Sequence, residues 1–170
     1  MNFTFRKGTA QDTERYIALL TFIKSQMRET QWFYIDEPEY IRQTLKDGTM
    51  EVWFAEDGDI IAGAFHIIHP GLHPDNYGYE LGLSQEDLLK VIHMDSAAVR
   101  PQYRGHKLQQ RLMALIEEDL KVRFPVSILL TTVHPENLFS LCNVQSLGYT
   151  VAKRLAKYGS ERYILRKDMP

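Results

Sequence analysis

The sequence predicts a mixed α/β (α+β) fold: a mostly antiparallel sheet of six or seven strands with helices on both faces. Three observations carry this. Strand-like runs alternate with helix-period runs along the whole chain, which places helices on a sheet. Asp57-Gly58, between two β-rich runs, is a strong hairpin signal. One strand-helix-strand stretch, 91–133, has the dozen or more residues that a parallel crossover requires. The 170 residues show no repeat, low-complexity tract or linker, so a single domain over 1–170 is expected.

"NFTFRKG" alternates apolar and polar residues and reads as the first strand, with Thr9 or Asp12 as N-cap of a helix over about 10–28. Tyr16, Leu19, Leu20 and Ile23 have that helix's apolar spacing. "EPEYIRQTLKDG" predicts a second helix, with Pro38 near its start and Gly48 after its end. The hairpin follows in "TMEVWFAEDGDIIAGAFHII", then an irregular Pro/Gly/Asn-rich excursion over 69–82 and a short helix begun by Ser84. "VIHMDSAAV", 91–99, is a strand. Leu108, Leu112, Leu115, Ile116 and Leu120 share one face of a helix running to about Arg123 and stopped by Pro125. "VSILLTTV" is a strand buried on both faces. "PENLFSLCNVQSLG" is a helix ended by Gly148, and "YTVAKRLAKYG" with "ERYILRKD" forms a last strand pair.

Bulk properties exclude several classes. The net charge of −2 argues against wholesale nucleic-acid binding, which needs a basic excess. No run approaches the roughly 18 uninterrupted apolar residues of a membrane span. The single cysteine, Cys142, cannot form an internal disulfide and reads as a buried small apolar residue; with no signal-peptide pattern at the start, a cytoplasmic protein is expected.

One stretch is unusual. "VRPQYRGHKLQQRLM", 99–113, opens a helix with Arg100, Arg104, Lys107 and Arg111, although a helix start already carries partial positive charge. A strand turning at Gly105 into a helix offers backbone N–H groups to an anion, phosphate above all. It is not a nucleotide P-loop, because the first glycine and the hydroxyl are missing.

Here the chain resembles the GNAT superfamily of acyl-CoA-dependent N-acyltransferases, whose signature Gln/Arg-x-x-Gly-x-Gly/Ala follows a strand. Gln102-Tyr103-Arg104-Gly105-His106-Lys107 matches it after "AAVRP", except that Lys107 stands where a small residue is usual. Asn137, Ser140, Gly148 and Tyr149 occupy the places of the family's downstream Asn-x-x-Ala/Ser and Gly-aromatic pattern. The resemblance implies a splayed parallel strand pair that holds the pantetheine arm of acetyl-CoA against the backbone of Ala97, Ala98 and Val99. It implies a pyrophosphate on the amides of Arg104, Gly105, His106, Lys107 and Leu108, and Asn137 and Ser140 beside the pantetheine or thioester.

Acyl transfer to an amine needs a base, a polarised carbonyl and help for the leaving thiolate. The family's usual acid, a tyrosine seven residues after the Asn, is Val144 here. Tyr149 is the expected substitute, and His93 the expected base, since His93, Asp95, Ala97 and Val99 share a face by strand alternation. Glu80 is the expected carboxylate for a cationic acceptor. Trp32 and Tyr34, in "TQWFYIDEPEY", wall the acceptor pocket in the resemblance. His66, His69 and His73 carry no metal reading, because Pro70, Gly71 and Pro74 prevent their alignment on a helix. The expected activity is acetyl transfer from acetyl-CoA, by direct attack in a ternary complex, to a small-molecule or peptide amine. No metal, nucleic acid or membrane is expected, and the protein is expected to be a monomer or homodimer. The alternative is a catalytically silent acyl-CoA-binding module.

Overall fold

The computed structural model describes residues 1–170. Seven strands form one sheet: β1 (Thr4–Lys7), β2 (Met50–Asp57), β3 (Ile60–Ile68), β4 (Val91–Val99), β5 (Ser127–Val133), β6 (Thr150–Lys157) and β7 (Ser160–Met169). The helices are α1 (Thr13–Gln26), α2 (Pro38–Asp47), the single turn α3 (Gln85–Leu88), α4 (Leu108–Arg123) and α5 (Leu138–Ser146). No helix is long and apolar enough to cross a membrane.

The sheet order is β1-β2-β3-β4-β5-β7-β6, and every neighbouring pair is antiparallel except β4-β5. The fold class and the parallel element are as the sequence predicts. The β2–β3 hairpin turns over Gly58-Asp59, with Asp57 opposite Ile60 and Gly58 at a φ of 59°.

Strand alternation divides the core. Val52 and Phe54 face α1 and α2, with Tyr16, Leu19, Leu20, Ile23 and Ile41; Trp53 and Ala55 face α4. On α4 the buried stripe is Leu108, Leu112, Ile116 and Leu120, with Met113 beside it. Leu115 is 39% exposed and lies off the face assigned to it from sequence. Each buried leucine or isoleucine of this stripe contributes about 1.5–3 kcal/mol by leaving water.

Two irregularities in β4 set the shape of the sheet at its centre. β4 and β5 pair only from Val91–His93 against Ile128–Leu130, and beyond that they separate. Opposite β3 the register shifts between His66, which faces Ser96, and Ile67, which faces Met94. Asp95 is therefore the extra residue of a β-bulge.

Candidate active site

The gap between β4 and β5 opens into a cavity of about 1490 Å³. At one end lies the start of α4. Gly105 turns the chain at a φ of 85°, and Lys107, the N-cap of α4, is itself left-handed at a φ of 56°. Arg104 N–H donates to Pro101 C=O, but the N–H groups of Gly105 through Gln110 have no acceptor within the protein. These donors, with the positive end of the helix, suit an anion. Arg104 and Lys107 line the cavity there without a carboxylate partner. Arg100 and Arg111 are spent elsewhere, Arg100 on Ile61 C=O at 2.8 Å and Arg111 over the Phe5 ring.

Along the gap the backbone of β4 alternates between its two edges. Arg100 N–H donates to Ala62 C=O on β3, and Ala98 C=O also faces β3, beside Gly63. Ala97 and Val99 therefore present their N–H and C=O to the gap, and both line the cavity. Ala98 corrects the expectation: its edge belongs to β3 and its side chain is buried against α1. The imidazole of His106 likewise turns away from the cavity to the edge of Phe3, leaving only its backbone N–H at the anion site.

On the β5 side, Asn137 caps α5 by accepting from Ser140 N–H, and Ser140 Oγ accepts from Gln109 Nε2. Gln109 Oε1 also accepts from Asn143 Nδ2, so Gln109 ties α4 to α5. The Ser140 hydroxyl proton has no acceptor in the protein and lines the cavity with Val144. Cys142 on α5 is exposed rather than buried.

The other end is acidic and aromatic. Asp95 Oδ2 lies 2.7 Å from His66 Nε2, Asp95 Oδ1 accepts from the Tyr77 hydroxyl at 3.0 Å, and the Tyr77 and Tyr158 hydroxyls are 2.7 Å apart. The other His66 nitrogen meets the Tyr16 hydroxyl. Burial pushes the Asp95 carboxyl up, but the His66 hydrogen bond and charge, His93 and Tyr77 outweigh it and hold it below the usual value. Asp36 has ligand atoms within 4.8 Å of those of His66 and Asp95, yet its carboxylate makes no hydrogen bond in the protein. Burial, with the Asp95 charge beside it, pushes Asp36 up to about 6. Tyr34 and Tyr158 stack across this end, and Trp32 lines it.

The residues expected to catalyse have other tasks. His93 lines the cavity, but its ring lies flat on Tyr77, 3.7 Å between centroids, and Nε2 accepts from Tyr77 N–H. That nitrogen is spent, and burial lowers His93 to about 4. Tyr149 is buried away from the cavity, where its hydroxyl donates to Glu117 Oε1 at 2.8 Å. Glu80 is outside the cavity, paired with Lys153 on the surface. His69 and His73 have separate partners, Glu51 and Asp75. Sequence reasoning weighed His66 only as a metal ligand and missed Tyr77, Lys157, Tyr158 and Arg162; the signal available for His66 was its place on a strand paired with 91–99.

A mostly antiparallel sheet with one splayed parallel pair, followed by a helix start whose amides are unpaired, defines the α/β architecture of this chain. Solved structures that share this architecture include acetyltransferases of the GNAT family, and the chain has the GNAT fold. A putative acetyltransferase, yncA, from Salmonella typhimurium, solved with acetyl-CoA, superposes with a TM-score of 0.72 at 14% identity, over 100% of this chain and 95% of that one. NAA60 of Arabidopsis thaliana, solved with acetyl-CoA, gives a TM-score of 0.76 at 13% identity, over 98% of each chain. A GNAT-family acetyltransferase from Listeria monocytogenes gives 0.69 at 18% identity, over 98% of this chain and 95% of that one. The sequence matches no protein-family model and no curated protein.

Proposed function

We propose that the protein is an acetyl-CoA-dependent N-acetyltransferase that acetylates a primary amine by direct attack, with both substrates bound together. The observation that carries this reading is the run of unpaired amides from Gly105 to Gln110 at the mouth of the β4-β5 gap. These amides, with Arg104 and Lys107, suit a pyrophosphate. The free edge at Ala97 and Val99 suits the amides of a pantetheine arm. Acetyl-CoA, when bound there, supplies an activated thioester carbonyl.

The chain's own groups account for the amine. Asp95, held ionised by His66 and Tyr77, and Asp36 together attract an ammonium. Asp36, at about 6, is ionised at neutral pH and takes one proton from the bound ammonium; the neutral amine then attacks the thioester carbonyl, the C–S bond breaks, and the nitrogen's second proton goes to the departing CoA thiolate. The free Ser140 hydroxyl is a donor toward the thioester end.

A silent acyl-CoA-binding module is the second reading, favoured by Val144, which carries no proton where the resemblance expects a tyrosine. Thiol release from acetyl-CoA across a panel of amines separates the two. Turnover supports the enzyme; thermal stabilisation by CoA without turnover on any amine supports the binder. Stabilisation by ATP but not by CoA would overturn both.

A further inference from the structure

Arg162, on β7, is 4% exposed and lines the cavity, yet it has no carboxylate within ion-pair distance. It spends two N–H donors on the carbonyl oxygens of Gln31 and Trp32, while its Nε–H has no partner. The buried indole N–H of Trp32, in the same wall, is also unpartnered. Buried cations are ordinarily paired, and a buried donor without an acceptor is costly. Next to them Lys157 lies over the Tyr77 and Tyr158 rings, again without an ion pair. One cavity is thus lined both by unpaired cations, Arg162 and Lys157, and by an unpaired anion, Asp36, close to Asp95.

We propose that Arg162, with the Trp32 indole N–H, forms a carboxylate subsite, and that the acceptor is a free amino acid. Its ammonium lies at Asp36 and Asp95 and its carboxylate at Arg162. A polyamine would bring a second ammonium against Arg162 and Lys157. A peptide N-terminus would bring only a neutral carbonyl, which leaves the guanidinium charge uncompensated. The stacked Tyr34 and Tyr158 rings cross this end of the cavity, which suits a compact ligand. The inference rests on the acetyltransferase reading and names its acceptor class.

The test compares proteinogenic amino acids with their own carboxamides, with spermidine and with a short peptide bearing a free N-terminus, by thiol release from acetyl-CoA. Loss of the carboxylate is expected to lower kcat/KM about a hundredfold for the best amino acid. Arg162→Gln is expected to raise the amino acid's KM and shrink its advantage over the amide to a few-fold. Equal use of acid and amide by the wild-type protein overturns the proposal, as does preference for spermidine or the peptide; either leaves the acetyltransferase reading standing. Should Arg162→Gln fail to fold, the wild-type comparison decides alone. Should no amine turn over, the acetyltransferase reading falls. Calorimetric titration of the same acid-amide pairs with CoA present then decides the subsite: tighter binding of the acid supports it, and equal binding overturns it.

Discussion

The ring of Tyr158 lies on that of Tyr34, with centroids 4.5 Å apart and planes 19° apart. This contact joins the β6–β7 turn to the segment before α2, which Arg162 also holds through the Gln31 and Trp32 carbonyls. Tyr158 reaches it from a left-handed backbone, at a φ of 55°, followed by Gly159 at 76°. A tyrosine in that region is strained by about 1–2 kcal/mol, and the stack and the hydroxyl contact to Tyr77 offset the strain. Strain of this kind collects at ligand-binding positions, where surrounding contacts hold it.

Tyr158→Gly separates folding from function. It loses the stack, about 0.5–1.5 kcal/mol, and the Tyr77 contact, but it releases backbone strain of similar size. The melting midpoint should therefore move little, by about 1 kcal/mol in stability, while the acceptor's KM rises about tenfold because the cavity loses its cover. Tyr158→Phe keeps the stack and should keep most of the affinity. Denaturant melts and acceptor saturation curves read both.

Lys107→Gly poses the same question at the anion site. Lys107 holds a positive φ that glycine adopts freely, so relief of strain and the greater freedom of unfolded glycine nearly cancel, within about 1 kcal/mol. The ammonium is lost from the cavity. CoA binding should weaken about fivefold, and its salt dependence should flatten. Titrations of CoA at low and high salt measure it; unchanged affinity would remove Lys107 from the phosphate site.

Tyr149→Phe should cost stability and leave turnover alone. The hydroxyl donates to Glu117, which Lys167 also contacts. Removing it leaves a buried carboxylate oxygen short of a donor, for about 1–2 kcal/mol. A general acid would instead cost about 10²–10⁴ in kcat on removal. Equilibrium unfolding and kcat/KM on the same preparation distinguish the two.

The frame of the fold was legible because its signals are local. The strand read over 91–99 is β4 residue for residue, Gly148 ends the helix before β6, and Gly105 turns the chain at the anion site. The active end was less legible, because its groups depend on register. Alternation put His93 and Asp95 in equivalent places, but the bulge opposite His66 and Ile67 gives them different neighbours. Nothing near position 93 announces that Tyr77 N–H will occupy its nitrogen. Arg162 and Tyr158 come from the far end of the sequence, and their charge and strain acquire meaning only when β7 returns beside β5. Asp36 stood in a segment read as acceptor wall, but its raised pKa comes first from burial in the folded chain and then from Asp95 on β4.

Asp36 ties activity to stability with opposite signs. Its folded value, about 6, lies above the ordinary aspartate value, so the folded state binds this proton more readily than the unfolded state. The carboxyl costs nothing at low pH, where it is protonated in both states. Its penalty grows as pH rises through the window from about 4 to about 6 and is complete above it. His93, lowered to about 4 from its usual 6.5, slopes the other way across the same range and gains stability as pH rises. The wild-type curve alone therefore hides both. Asp36→Asn removes only the first: the variant should be more stable than wild type at pH 8, with the difference fading below about pH 4. Activity should run against this. Wild-type kcat/KM should rise with pH through about 6 as Asp36 ionises, and Asp36→Asn should lose about 10²–10⁴ in turnover and that limb of the profile. Unfolding curves at pH 4 and pH 8, with a pH series of kcat/KM, test both halves. A variant that keeps wild-type turnover, with its limb near pH 6 intact, would remove Asp36 as the proton acceptor.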